Sequence, residues 1–336
     1  MNYSSHRSLP DIQISRDFRG FPIDKVGVCD LCFPIVVLDR QNQRQQTVAK
    51  ISMSVNLPRH LKGTHMSRFI EILSSHQGEI TIHSIGPILH ALKKRLDSKT
   101  AQIEIDFPYF VTRAAPVSGF RAPMDYRCTF IGESNGGNDD FRFRVAVPVT
   151  TVCPCSKEIS DYGAHNQRGL VVITVRPRRN NGSSESIWIE ELISIAEKSA
   201  SAPVYTLLKR PDERHVTMQA FDNPVFVEDV VRNAAGLLAK DERISWFEVR
   251  AINQESIHNH SAFAVVNSTQ KVAADLSHPI DHVSPAIKQN EIQYGYENEK
   301  RNGNHFSGTR RAQDCENGLD AFLPERRNQA RCSGRE

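Results

Sequence analysis

Nothing in the sequence approaches the roughly 20 uninterrupted apolar residues that a bilayer-crossing helix requires. Its first twenty residues, MNYSSHRSLPDIQISRDFRG, also lack the apolar centre of a secretory signal. Membrane insertion and export are therefore not expected, and the reading is of a cytoplasmic protein. Charge of one sign is scarce too, with 42 Lys and Arg against 39 Asp and Glu, a net charge of +3. So mild a balance does not point to nucleic acid, whose binding proteins concentrate basic residues on one face. It is compatible with a local basic pocket for a phosphorylated small molecule. Aromatic residues make up only 7% of the chain. Paired cysteines are missing as well: seven thiols, an odd number at irregular spacing, do not form a disulfide framework. Cys29-x-x-Cys32 finds no second CxxC or HxxxH to complete a tetrahedral zinc site and reads as incidental. Metal or catalytic chemistry is then the leading use for the other close pair, Cys153-Pro154-Cys155.

What is present is a soluble composition, 39% hydrophobic and 24% charged over 336 residues, long enough for about two units. Apolar periodicity gives a repeated plan. Phe33–Leu38 and Val48–Val55 read as strands, followed by a helix bearing Met66, Phe69, Ile70 and Leu73. A second helix carries Ile85, Ile88, Leu89, Leu92 and Leu96, with Pro87 expected in its first turn. Ile103/Ile105/Phe107 and Phe141–Val149 read as strands, and the order then recurs with strand LVVITV over 170–175. Helices through Ile189, Leu192, Ile193, Ala196 and through Val227, Val230, Val231, Ala234, Leu238 lead to strands at Ile244–Ile252 and Ala262–Val266. The pattern predicts an α+β fold: two strand–helix–helix–strand halves, about 20–150 and 151–268, with antiparallel sheet and helices on one face. An oligomer that closes such sheets into a barrel would cover the remaining face. Periodicity fails beyond about residue 268, and 269–336 reads as an atypical, poorly ordered tail.

Three clusters carry chemistry. The first, TTVCPCSKEISDYGAHNQRG (150–169), gathers two thiols, Lys157, His165 and Arg168 between two strands. Cys153 and His165 across one loop can converge on one ion, because thiolate and imidazole suit borderline divalent metals. The second is Asn253–His260, where His258 and His260 share a face if the chain is extended, with Glu255 near the turn. The third runs from Leu207 through Glu213 to Arg232. In it Glu228 and Asp229 lie in the first turns of a helix expected to start at Asn223-Pro224, with Asn223 as its N-cap. Glu228 there either complements the helix dipole or accepts two N–H bonds from a guanine-like edge.

The strings VCPCSKEISDYGAHNQRG, LPDIQISRDFRGFPIDKVGVCDL, LPRHLKGTHMSRF, PVYTLLKRPDERHVT, NPVFVEDVVR and NQESIHNHSAFA, in order from about Leu9 to Val266, resemble the type IB GTP cyclohydrolases. The resemblance implies the tunnelling fold, a bimodular subunit, and a homotetramer with active sites at subunit interfaces. It implies hydrolysis of GTP to 7,8-dihydroneopterin triphosphate and formate, opening folate and modified-base biosynthesis. It implies a divalent metal, manganese or iron in preference to zinc, held among Cys153, His165, Glu213, Glu255 and His258. Glu228 matches the family's purine anchor, and Lys157, Arg168, Lys62 and Arg68 are triphosphate candidates on charge alone. Two other classes fit part of the pattern. A tunnelling-fold nitrile reductase would use Cys153 as nucleophile but has no need of His165, His258 and Glu255. A non-catalytic metal-binding protein would release no formate. The chain departs from the family at Met218, where a carboxylate is expected, and at Cys29 and Cys32, usually basic positions.

Overall fold

The computed structural model describes residues 10–40, 43–76, 80–180, 183–184 and 186–268. The tail expected from residue 269 onward lies outside the described residues. Strands β1 (Ile23–Asp39) and β2 (Gln43–Leu57) come first, then helices α1 (Met66–Ser75) and α2 (Ile82–Arg95), then β3 (Thr100–Ala114) and β4 (Arg121–Asn135). The same order begins again with β5 (Asn138–Val152) and β6 (Asn166–Pro177), which are separated by the short helix α3 (Pro154–Ile159). The small ribbon β7 (Arg179–Asn180) and β8 (Ser183–Ser184) leads to α4 (Ile189–Ser199), β9 (Ala202–Pro203), α5 (Arg210–Asp222) and α6 (Val227–Leu238). Strands β10 (Ile244–Gln254) and β11 (Ser261–Asn267) close the unit.

One antiparallel sheet runs β1-β2-β3-β4-β5-β6-β10-β11, and β9 pairs with β5 at its end. Alternation sets its faces. Phe141, Phe143, Val145, Val147 and Val149 of β5 are buried, while Arg142, Arg144, Ala146 and Pro148 between them are not. Helices α2, α4 and α6 pack on that apolar face, covering β3–β5, β5–β6 and β10–β11 respectively. Leu89 and Leu92 of α2 are almost completely buried there, each worth about 2 kcal/mol in apolar surface removed from water. Helix α2 lies so close to β4 that a Cβ at Gly132 would stand 2.3 Å from Ile85 Cγ2. The opposite face has no helix among the described residues, and Phe263 (66% exposed), Val48 and Leu170 face outward from it. The expected fold class, α+β with antiparallel sheet and helices on one face, is what the chain adopts.

Three local expectations are corrected. Strand β4 has no counterpart in the sequence reading; Arg121, Pro123, Asp125 and Arg127 on its outer face mask the inward row Met124, Tyr126, Cys128, Phe130. Strand β4 runs into β5 through the Gly136-Gly137 turn. Helix α2 starts at Ile82, so Pro87 falls in its second turn, where its ring forgoes the bond to the His83 carbonyl. Helix α6 starts at Val227 after Phe226. Asn223 instead ends α5, and its side-chain amide donates to the carbonyls of Ala200 (3.0 Å) and Ser201 (3.3 Å).

Polar ties bind the two halves. Arg113 on β3 pairs with Glu197 on α4 at 2.7 Å, and Tyr126 on β4 donates to the same carboxylate at 3.3 Å. Burial pushes the Glu197 carboxyl above its ordinary range despite the Arg113 charge. Tyr109 on β3 donates to Glu190 on α4 at 2.8 Å.

Candidate active site

The β5–β6 connection, residues 153–165, carries the candidate residues Cys153 and His165. Cys153 leaves β5 in extended conformation and precedes Pro154, the first residue of α3, where a missing N–H costs nothing. The Ser156 N–H turns back to Cys153 Sγ at 3.4 Å. The same serine's Oγ accepts the His165 N–H at 3.2 Å, and the Cys153 N–H donates to the His165 carbonyl at 3.1 Å. Cys153 and His165, twelve positions apart in sequence, are thus locked side by side through Ser156. His165 Nδ1 lies 3.1 Å from Oε1 of Gln167, a buried residue on β6.

The platform beneath is clamped. The Val152 N–H donates to buried Ser201 Oγ at 3.0 Å, the Ser201 N–H donates to the Thr150 carbonyl, and the Val225 N–H donates to the Val152 carbonyl. Val152, Ala202 and Ala220 form a small apolar cluster of their own, against which Ala164 and Val216 pack. It glues α5 to the end of β5.

Other expected residues fall as follows. The 255–260 loop leaves β10 from Gln254, which pairs with Arg168, so it emerges at the same sheet end as His165. It is a bend rather than extended chain. His258 and His260 are nonetheless brought together, their exposed rings stacked with centroids 5.2 Å apart. Glu228 is exposed in the first turn of α6, three residues after Val225, and so stands close in chain to the β5 end. Arg168 is exposed on the helix-free face. Lys157 is engaged elsewhere: its ammonium donates to the Phe221 carbonyl at 2.5 Å and lies 4.2 Å from that ring's centroid, satisfying the C-terminus of α5. Glu213 is exposed near the other end of α5, about 12 Å along the axis from Phe221 at 1.5 Å per residue. Lys62 and Arg68 follow β2, whose last residue Leu57 sits at the sheet end opposite Val152. Arg68 there donates to the Arg95 carbonyl. Among the described residues of one chain, no three His, Cys, Asp or Glu side chains gather to hold an ion. Cys153 and His165 are tied to one another through Ser156, and a thiolate with an imidazole is a donor chemistry that suits a borderline divalent metal.

Residues 9–264 match the family model described as type I GTP cyclohydrolase folE2. The chain belongs to this family. It is 51% identical over 265 residues to GTP cyclohydrolase FolE2 of Geobacter sulfurreducens, covering 79% of this chain and 100% of that protein. It is 53% identical over 258 residues to GTP cyclohydrolase FolE2 of Syntrophotalea carbinolica, covering 77% and 94%. A solved urate oxidase from Bacillus sp. TB-90 overlays with a TM-score of 0.44 at 10% identity, over 74% of this chain and 100% of that one. That likeness is too loose to carry an argument.

For a GTP cyclohydrolase of this type the structure adds residues that the motifs did not single out. Ser156, Gln167 and Ser201 hold the cysteine–histidine pair without standing out as reactive. Asp212, buried beside Glu213, accepts N–H bonds from Val117, Ser118 and Lys209 at 2.8 Å each and the Ser118 hydroxyl at 2.6 Å. Burial works to raise its carboxyl, but these donors together hold it below the usual carboxylate range. It thereby fixes the start of α5 to the β3–β4 turn. The signal available in sequence was weak: an Asp three residues after Lys209 at a helix start. No helix of the described residues is long and apolar enough to cross a membrane.

Proposed function

We propose that this chain converts GTP to 7,8-dihydroneopterin triphosphate and formate at a centre built on Cys153 and His165. The observation that carries this reading is the closed hydrogen-bonded link from Cys153 through Ser156 to His165 at the end of β5, in a chain of the type I GTP cyclohydrolase family. Cys153 and His165 are the first donors to a divalent metal, manganese or iron in preference to zinc. Glu255 and His258 approach from the β10–β11 loop at the same sheet end. Glu213, exposed and distant along α5, is available to a neighbouring copy in a homotetramer whose sites lie between subunits. When bound, the metal supplies the Lewis acidity that makes water nucleophilic near neutral pH at the purine C8.

The chain's own groups do the rest. The Glu228 carboxylate accepts the guanine N1–H and 2-amino N–H, a bidentate pairing that fixes the purine's orientation. Arg168 faces the triphosphate; Lys157, already bonded to the end of α5, serves it less directly. Whichever imidazole of His165 and His258 is not occupied as a ligand passes a proton to N7 as the ring opens. Residues 1–268 constitute this cytoplasmic enzyme, without nucleic acid or membrane as partner, and its product feeds folate and modified-base synthesis. The test is formate release and pterin fluorescence from GTP with the full chain loaded in turn with Mn, Fe, Zn and Mg. Turnover with at least one transition metal and none with Mg is expected; metal binding without formate from any of the four would overturn the reading.

A further inference from the structure

We propose that Gln167 is a positioning residue that fixes the tautomer of His165, keeping the proton on Nδ1 and presenting a bare Nε2 to the site. A neutral imidazole carries one N–H, and its partner decides which nitrogen holds it. Gln167 Oε1 lies 3.1 Å from Nδ1, and an amide oxygen only accepts. In that pairing Nδ1 is the donor. The His165 backbone is held on both sides, the N–H by Ser156 Oγ and the carbonyl by the Cys153 N–H. Gln167 is 8% exposed and sits in the β5–β6 ladder opposite Thr151, so its amide is carried on rigid strand rather than on the loop.

The chemical consequence follows from lone pairs. With Nδ1 protonated, Nε2 offers an in-plane lone pair, as a cation or a substrate proton requires. With the proton on Nε2, the same ring would turn an N–H toward the site and repel a cation. This role rests on the proposed metal centre for what Nε2 serves, while the tautomer itself does not depend on any metal.

The test begins with the metal-free full-length protein, its histidine side chains labelled with 15N and the His165 signals assigned by comparison with His165→Asn, at a pH where the ring is neutral. The wild type is expected to show the Nδ1–H form. Gln167→Met, which keeps the length but removes the acceptor, is expected to move the ring toward Nε2–H and to weaken binding of Zn2+ alone by about 10- to 100-fold, as loss of an outer-shell partner typically does. Gln167→Glu restores an acceptor and is expected to retain Nδ1–H, which keeps the test decisive if the Met variant folds poorly. An Nε2–H signal in the wild type overturns the proposal, as does a Met variant with unchanged tautomer or unchanged Zn2+ affinity. Cys153→Ala separates the two readings: if it binds Zn2+ like wild type, the metal centre fails while the tautomer assignment stands.

Discussion

The first half of the molecule, β1 to β4 with α1 and α2, and the second, β5 to β11 with α3 to α6, lay the same strands and helices on one sheet but differ in what joins them. In the first half only residues 40–42 separate β1 from β2 in sequence, and residues 76–81 separate α1 from α2. In the second half the corresponding connections are long: residues 153–165 with α3, and residues 200–226 with β9 and α5. These two insertions press on each other through Lys157 and Phe221 and through the Val152, Ala202, Ala220 cluster. Cys153, His165 and Glu213 all lie in them. A repeated scaffold therefore supplies rigidity twice, and the candidate site lies in the copy whose loops are long enough to fold on themselves.

The sharpest way to break the comparison is to change one residue type in both halves. Cys153→Ala should cut GTP turnover by more than about 1000-fold, some 4 kcal/mol of barrier, with an unchanged thermal melt. Cys128→Ala, in buried β4 of the first half, should leave turnover intact and cost about 1 kcal/mol in denaturant unfolding, as loss of one small buried group does. Equal effects on turnover would erase the distinction between the halves.

Next in size is the tie between them. Glu197→Ala strands the Arg113 guanidinium in a half-buried site, and about 3 kcal/mol of stability should be lost, since breaking a buried pair leaves one charge uncompensated. Arg113→Met combined with Glu197→Met should recover much of that loss. If the single variant melts like wild type, the halves do not rely on this contact.

A smaller pair of changes compares supporting serines. Ser201→Ala removes the acceptor of the Val152 N–H, leaving a buried donor unpaired at about 1–3 kcal/mol, and should also lower turnover because Cys153 follows Val152. Ser98→Ala, whose hydroxyl donates to Asn56 in the first half, should reduce stability by about 1 kcal/mol without touching turnover. Unfolding curves and steady-state rates on both variants decide it.

The smallest effect is on pH. Asp212 has a folded-state pKa below its unfolded value, so in acid the unfolded chain binds the proton first. Its contribution is complete above the unfolded carboxylate value, about 3.9, and is lost as pH falls through the lower folded value. Asp212→Asn should therefore flatten the decline of melting temperature between pH 6 and 3 relative to wild type. A steeper decline would contradict the hydrogen-bond assignment.

Much of this was readable beforehand, for stated reasons. Strands such as Phe141–Val149 and helices such as that of Val227 to Leu238 announce themselves because one face must be apolar. Cys153 and His165 stand out as candidates because few loops combine those side chains. β4 was not readable, since its charged outer row outweighs a local count of apolar residues. Nor were the start of α6 or the use of Asn223, because capping depends on which carbonyls α4 and β9 leave nearby. Lys62, Arg68 and Lys157 were chosen on charge, which says nothing of which sheet end a residue reaches or which carbonyl it meets first.

By itself the sequence determined the α+β class and the order of elements, and it nominated Cys153 and His165 as the candidate pair, because periodicity and side-chain chemistry are local properties. Only the tertiary structure decided that Ser156 joins that pair, that Gln167 faces one ring nitrogen, and that Glu213 stands a helix length away. Those are facts of register and packing, set by contacts between residues that the chain separates.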